Sequence, residues 1–125
     1  VICTLDPEDK FDIYIATDYL TNTYCSGLFI IKNSKIGRNF INQCIRELKT
    51  DCKDSNNKFS LGPLWTGKCY EQGIMNTLLK NEYKDNVCVV PSDLFKNTAF
   101  CLKENTFVLH KFGHKKGLDS CFNNI

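Results

Sequence analysis

The order of hydrophobic periodicities along the chain predicts an α/β fold, with strands and helices alternating in layers. Three observations carry this expectation. Phe11-Asp12-Ile13-Tyr14-Ile15-Ala16-Thr17 alternates as a strand does. Ile36, Phe40, Ile41, Cys44, Ile45 and Leu48 recur at helical spacing, with Arg38, Asn42, Arg46 and Lys49 on the opposite face. Val87-Cys88-Val89-Val90 is a short apolar run stopped by Pro91.

Taken in order, Val1 to Leu5 is apolar and β-prone, and Asp6-Pro7-Glu8-Asp9 breaks it with turn chemistry. The first alternating strand then closes at Asp18, where a loop is expected to begin. Tyr24 to Ile31 reads as a second strand, and its continuous apolar half, Leu28 to Ile31, predicts burial on both faces. Asn33 and Ser34 are good N-caps for the helix that follows. Asp51 to Lys58 is a polar loop, and Phe59 to Gly67, with its Gly-Pro, is an irregular connection. A second helix is expected from about Glu71 to Lys80, burying Ile74, Met75, Leu78 and Leu79. Ser92 to Asn105 reads as loop with a turn of helix, Phe107 to His110 as the last strand, and Gly117 to Ile125 as loop or a short final helix.

The 125 residues amount to one domain, and a hydrophobic fraction of 42% with 9 Phe is that of a packed core rather than a disordered polymer. A net charge of +2 gives no global argument for nucleic acid or for an acidic membrane surface. No apolar run is long enough to be a transmembrane segment. The chain opens on Val1-Ile2-Cys3, mid-strand in character and with no initiator Met, as expected of a piece of a longer polypeptide. Its eight cysteines include no C-x-x-C pair, which argues against a zinc ribbon or knuckle. Their even number permits a disulfide framework, while several sit in apolar runs where a free thiol packs well.

The stretch with the most chemistry in it is Phe107 to Lys116, a short strand that delivers His110, then Gly113, then Lys116 at spacing H-x-x-G-x-x-K. A neutral imidazole ligates divalent cations, glycine admits a bulky anion close to the backbone, and lysine offers a point charge to phosphate. A metal-bound diphosphate uses all three. The plainer alternative is a strand-end histidine followed by a solvated basic turn. Upstream stand two further features: Tyr24-Cys25-Ser26-Gly27-Leu28-Phe29-Ile30-Ile31-Lys32-Asn33, a strand opening on small residues, and Glu71-Gln72-Gly73-Ile74-Met75-Asn76, a carboxylate and carboxamide at a helix start.

In this order the three segments resemble the C-terminal half of retaining GT-A glycosyltransferases. The likeness is to the glycogenin and bacterial α-galactosyltransferase group, and to the fungal and plant galactosyl-, mannosyl- and xylosyltransferases. It extends over about Val1 to Lys116. It implies the acceptor-side half of a GT-A nucleotide-diphospho-sugar transferase sheet with flanking helices, so that residues 1–125 form a partial domain. The nucleotide-binding half and the D-x-D metal motif are expected upstream of Val1. Neither Asp6-Pro7-Glu8-Asp9 nor Asp51-Cys52-Lys53-Asp54 has the D-x-D spacing with a strand leading into it.

The resemblance implies transfer of a sugar from a nucleotide-diphosphate donor to a hydroxyl acceptor with retention. It implies His110 as a ligand of Mn²⁺ or Mg²⁺, Lys116 on the phosphates and Gly113 allowing their close approach. It places Gln72 beneath the anomeric carbon, where a carboxamide stabilises an oxocarbenium-like state without acting as a nucleophile. Glu71 orients sugar or acceptor hydroxyls, or else complements the helix dipole as first-turn acids do. Asp18 lies near sugar hydroxyls at a strand's C-terminal end, or is an ordinary loop acid. The family has Asn where this chain has Cys25, so either sugar specificity differs or Ser26 and the backbone take that role. Trp65 and Tyr70 form an aromatic platform for the acceptor or pack as core. Relatives work in the secretory pathway as membrane-anchored enzymes or in bacterial cytosol. Two rival readings stay open: a non-catalytic glycosyltransferase-like module that binds carbohydrate or serves assembly, and a cysteine-rich secreted domain with an unrelated ligand.

Overall fold

The computed structural model describes residues 6–18, 22–48, 66–67, 69–91, 95–97 and 108–110, the last two segments as backbone only. The expected N-terminal strand at Val1 to Leu5, the connection through Trp65, the basic turn with Gly113 and Lys116, and the C-terminal tail lie outside the described residues.

The architecture is α/β: a three-stranded mixed sheet with two helices, and a separate two-stranded ladder. The sheet comprises β1 (Ile13–Asp18), β2 (Thr23–Ile31) and β3 (Val87–Val90) in the order β2-β1-β3. β1 pairs antiparallel with β2 and parallel with β3. The helices are α1 (Lys35–Leu48) and α2 (Glu71–Lys80).

The alternation legible in β1 separates two cores. Ile13 and Ile15 point to the helical side and pack with Phe40, Cys44, Ile74, Met75, Leu78 and Leu79. Tyr14 and Ala16 point to the other side and pack with Val90, Leu28 and Ile30. Successive strand residues face opposite ways, so a central strand needs apolar residues at every position. β1, and not β2, is that strand. Leu28 to Ile31, expected to be buried on both faces, are only half-buried, and among the described residues β2 has a strand partner on one side alone.

α1 begins as its sequence predicts. The Ser34 hydroxyl accepts the Gly37 N–H at 3.0 Å and donates to Asp12 Oδ1, satisfying a first-turn donor. Asn33, the other expected cap, instead accepts the Arg38 guanidinium through Oδ1 at 2.8 Å. The apolar stripe of α1 is only partly covered: Phe40 and Cys44 are buried, Ile41 is half-buried, and Ile36, Ile45 and Leu48 are exposed. Phe40 meets the Tyr83 ring edge-on at 5.1 Å, and the Tyr83 hydroxyl donates to Gln43 Oε1. All four residues expected in the α2 stripe are buried.

One assignment changes. Within Ser92 to Asn105, expected to be loop with a turn of helix, Phe95–Asn97 forms a strand, β4. It pairs in parallel with β5 (Val108–His110), Asn97 lying opposite His110. Three residues are too few to show a period, and pairing with a non-local partner decides the outcome.

Ahead of β1, the turn from Asp6 is knotted by one carboxylate. Asp6 accepts from the Lys10 and Phe11 N–H groups at 3.0 and 2.9 Å and from the Tyr14 hydroxyl at 2.7 Å. Burial pushes its pKa up, but these donors and nearby Lys32 outweigh burial and hold it down at about 2. Burial, then the bond to Asp6, pushes the Tyr14 phenol up to about 12. Cys25, Cys44 and Cys88 are free thiols, and burial pushes the Cys44 thiol up to about 11. No helix among the described residues is long and apolar enough to cross a membrane.

Candidate active site

Opposite Ala16 the β1–β2 ladder breaks. Ile15 pairs with Phe29 and Thr17 with Tyr24, so four residues of β2 (Cys25 to Leu28) face one residue of β1. This large bulge interrupts the pairing with β1 while Thr23–Ile31 remains one strand. The Cys25 side chain is buried there, and its Sγ accepts the Gly27 N–H at 3.3 Å. The thiol that stands where the family has Asn is thus turned inward, and Ser26 is the residue presented toward α2.

The first turn of α2 meets that bulge. Gln72, 5% exposed, accepts the Ser26 N–H on Oε1 at 3.2 Å, and its Nε2 donates to Asp18 Oδ2 at 3.2 Å. A backbone N–H can only donate, so the carboxamide is fixed with oxygen toward Ser26 and nitrogen toward Asp18. The Ser26 hydroxyl lies 2.9 Å from Glu71 Oε1 and 3.3 Å from Gln72 Oε1. It has one proton, and the shorter contact with the exposed carboxylate takes it. The four groups run from a buried acid, Asp18 at 1% exposed, through a carboxamide and a hydroxyl to a solvent-facing acid.

Four of the expected site residues (Asp18, Ser26, Glu71 and Gln72) are therefore brought together across 45 to 54 residues of sequence. They sit at the C-terminal end of β1, which is one strand of a parallel pair, and at the N-terminus of α2. Asp18 Oδ2 accepts the Gln72 amide. His110 is seen through its backbone in β5, while the positions of Gly113 and Lys116 lie outside the described residues. Tyr70 precedes α2 in an extended conformation and is half-buried; Trp65, its expected partner, lies outside the described residues.

Asn76 closes the Glu71-to-Asn76 segment picked out in the sequence, but no role was expected of it. Its Oδ1 accepts the Tyr24 N–H at 2.7 Å, and its Nδ2 donates to the Tyr24 and Gln72 carbonyls at 2.7 and 2.8 Å. The available signal was the spacing, since residues four apart on a helix share one face.

Among the described residues, no group of three or more His, Cys, Asp or Glu side chains is arranged to hold a metal ion. The described donors thus do not by themselves form a metal cradle. Comparisons with protein-family models, curated proteins and solved structures find no match to this chain. What the fold and site define is a small α/β unit with a carboxylate–carboxamide–hydroxyl cluster where its central strand meets a helix N-terminus.

Proposed function

We propose that this chain is the acceptor-side half of a retaining GT-A glycosyltransferase, moving a sugar from a nucleotide-diphosphate donor to a hydroxyl acceptor with a divalent metal. The observation that supports it is the convergence of Asp18, Ser26, Glu71 and Gln72 in one hydrogen-bonded cluster at the C-terminal end of a sheet strand, where open α/β sheets place ligands. In this reading the Gln72 oxygen faces the anomeric carbon and stabilises developing positive charge. Asp18 and the Ser26 N–H hold the carboxamide so that it need not reorganise during the reaction. Glu71 and the Ser26 hydroxyl, at the exposed end, bind sugar or acceptor hydroxyls. Bound through His110, a Mn²⁺ or Mg²⁺ would neutralise charge on the leaving diphosphate, with Lys116 and Gly113 at the phosphates.

The test is calorimetric titration of UDP and GDP with Mn²⁺ into the natural chain, including whatever its coding sequence places upstream of Val1. Binding is expected to depend on Mn²⁺ and to weaken by about 10- to 100-fold in His110→Ala, the scale at which disturbing a metal site acts. Equal affinities would remove the metal role. The 125-residue chain alone is expected to bind donor weakly.

The burial of Asp18 and Gln72 favours a second reading, a non-catalytic module that keeps the fold to bind carbohydrate. Saccharide binding with no nucleotide binding and no transfer would select it.

A further inference from the structure

The two carboxamides of α2 bond to the edge of β2 as a neighbouring strand would. Along one edge of a β-strand, the N–H and C=O of alternate residues point the same way. Tyr24 and Ser26 are such a pair in β2. Asn76 takes both backbone groups of Tyr24, and Gln72 takes the N–H of Ser26. Gln72 and Asn76 are one helical turn apart, about 5.4–6 Å, which approximates the ~6.6 Å advance of two strand residues. The helix therefore reads the strand edge in reverse order, 72 on 26 and 76 on 24. The second Asn76 N–H ties back to the Gln72 carbonyl, so the buried clamp leaves neither Nδ2 proton without a partner.

We infer that Asn76 is a positioning residue for the site: by gripping the Tyr24 backbone it sets the distance between the Ser26 bulge and the Glu71-Gln72 helix end. Its importance for turnover rests on the proposed transferase reading; its effect on Ser26 does not. The Asn76 side chain hydrogen-bonds to Tyr24 and Gln72 rather than to Ser26 or Glu71, so its influence on them passes through those two residues. Asn76→Ala removes all three bonds. Asn76→Asp, nearly the same shape, still accepts the Tyr24 N–H but loses both donated bonds.

The experiment is residue-resolved amide hydrogen exchange of the natural chain and both variants, with kcat and KM for transfer measured alongside. In Asn76→Asp the Ser26 amide, whose own acceptor Gln72 is intact, is expected to exchange about 10-fold faster, the effect of one hydrogen bond's worth of net stability. Turnover should fall in kcat with the donor KM little changed. Faster exchange at Tyr24 with Ser26 unaffected would overturn the inference. If Asn76→Ala does not fold, Asn76→Asp decides alone. If the natural chain transfers no sugar, the functional proposal fails while the exchange data still decide whether Asn76 positions Ser26.

Discussion

Gln72→Glu changes one NH₂ into an oxygen and almost nothing in shape, yet it puts two carboxyl groups where a donor and an acceptor now meet. Gln72 Nε2 is 3.2 Å from Asp18 Oδ2, both side chains being buried. At that distance two ionised carboxylates repel by about 5 kcal/mol with an effective dielectric of about 20. The variant can escape by keeping one proton, which then donates much as the amide did. Holding a proton on a glutamyl group of ordinary pKa ~4.3 costs about 1.36 kcal/mol per pH unit, hence about 1 kcal/mol at pH 5 and about 4 kcal/mol at pH 7. Proton uptake is thus the cheaper route until about pH 8. The folded variant binds more protons than its unfolded chain, so its stability must fall as pH rises above the unfolded value. Thermal melts of wild type and variant at pH 5 and pH 7 read this directly. The deficit should widen by about 3 kcal/mol, or on the order of 10 °C in Tm for a chain of this size. A deficit that is the same at both pH values would refute the Asp18–Gln72 contact.

Other outcomes follow from the same geometry. Asp6, held at about 2 in the folded chain, contributes stability above its ordinary unfolded pKa of about 3.9 and loses it as pH falls toward 2. Asp6→Asn should be less stable at neutral pH and should flatten that acid limb in a Tm-against-pH profile; an unchanged limb would contradict the assignment. Gly73→Ala pits propensity against packing. Alanine is worth about 1 kcal/mol over glycine in a helix, but a Cβ at residue 73 would come 2.1 Å from the Gly67 carbonyl oxygen and 2.5 Å from that of Thr66. Both are backbone atoms, so overpacking of about 1–3 kcal/mol or more should win, and denaturant midpoints should fall. A stabilised variant would show that the 66–67 turn does not pack on α2.

The periodicities in β1, α1 and α2 made those elements legible because each buries a face whose spacing is a local property. Position within the sheet was not legible. Leu28 to Ile31 is as apolar as Ile13 to Ala16, yet among the described residues β1 is central and β2 is flanked on one side, since strand order is decided by partners distant in sequence. The stripe of α1 also overstated burial: Ile45 and Leu48 meet the periodic pattern and remain exposed. At the site, the Glu71-Gln72 pair and Ser26 were readable as chemistry. That they would share one site was an implication of the resemblance alone, and the bulge in β2 that brings Ser26 to α2 is announced by no residue pattern. Asn76 stood in the segment the sequence picked out, yet its role follows only from the strand edge it covers, which is distant in sequence.

The most direct measurement is the product formed when the natural chain, with Mn²⁺, is given α-linked nucleotide sugars and hydroxyl acceptors. NMR of the anomeric proton should show an α-linked product, and Gln72→Ala should lower its rate by about 10²-fold or more, the scale for removing one preorganised stabilising group. A β-linked product, or a rate indifferent to Gln72, would contradict a retaining transferase built on this cluster.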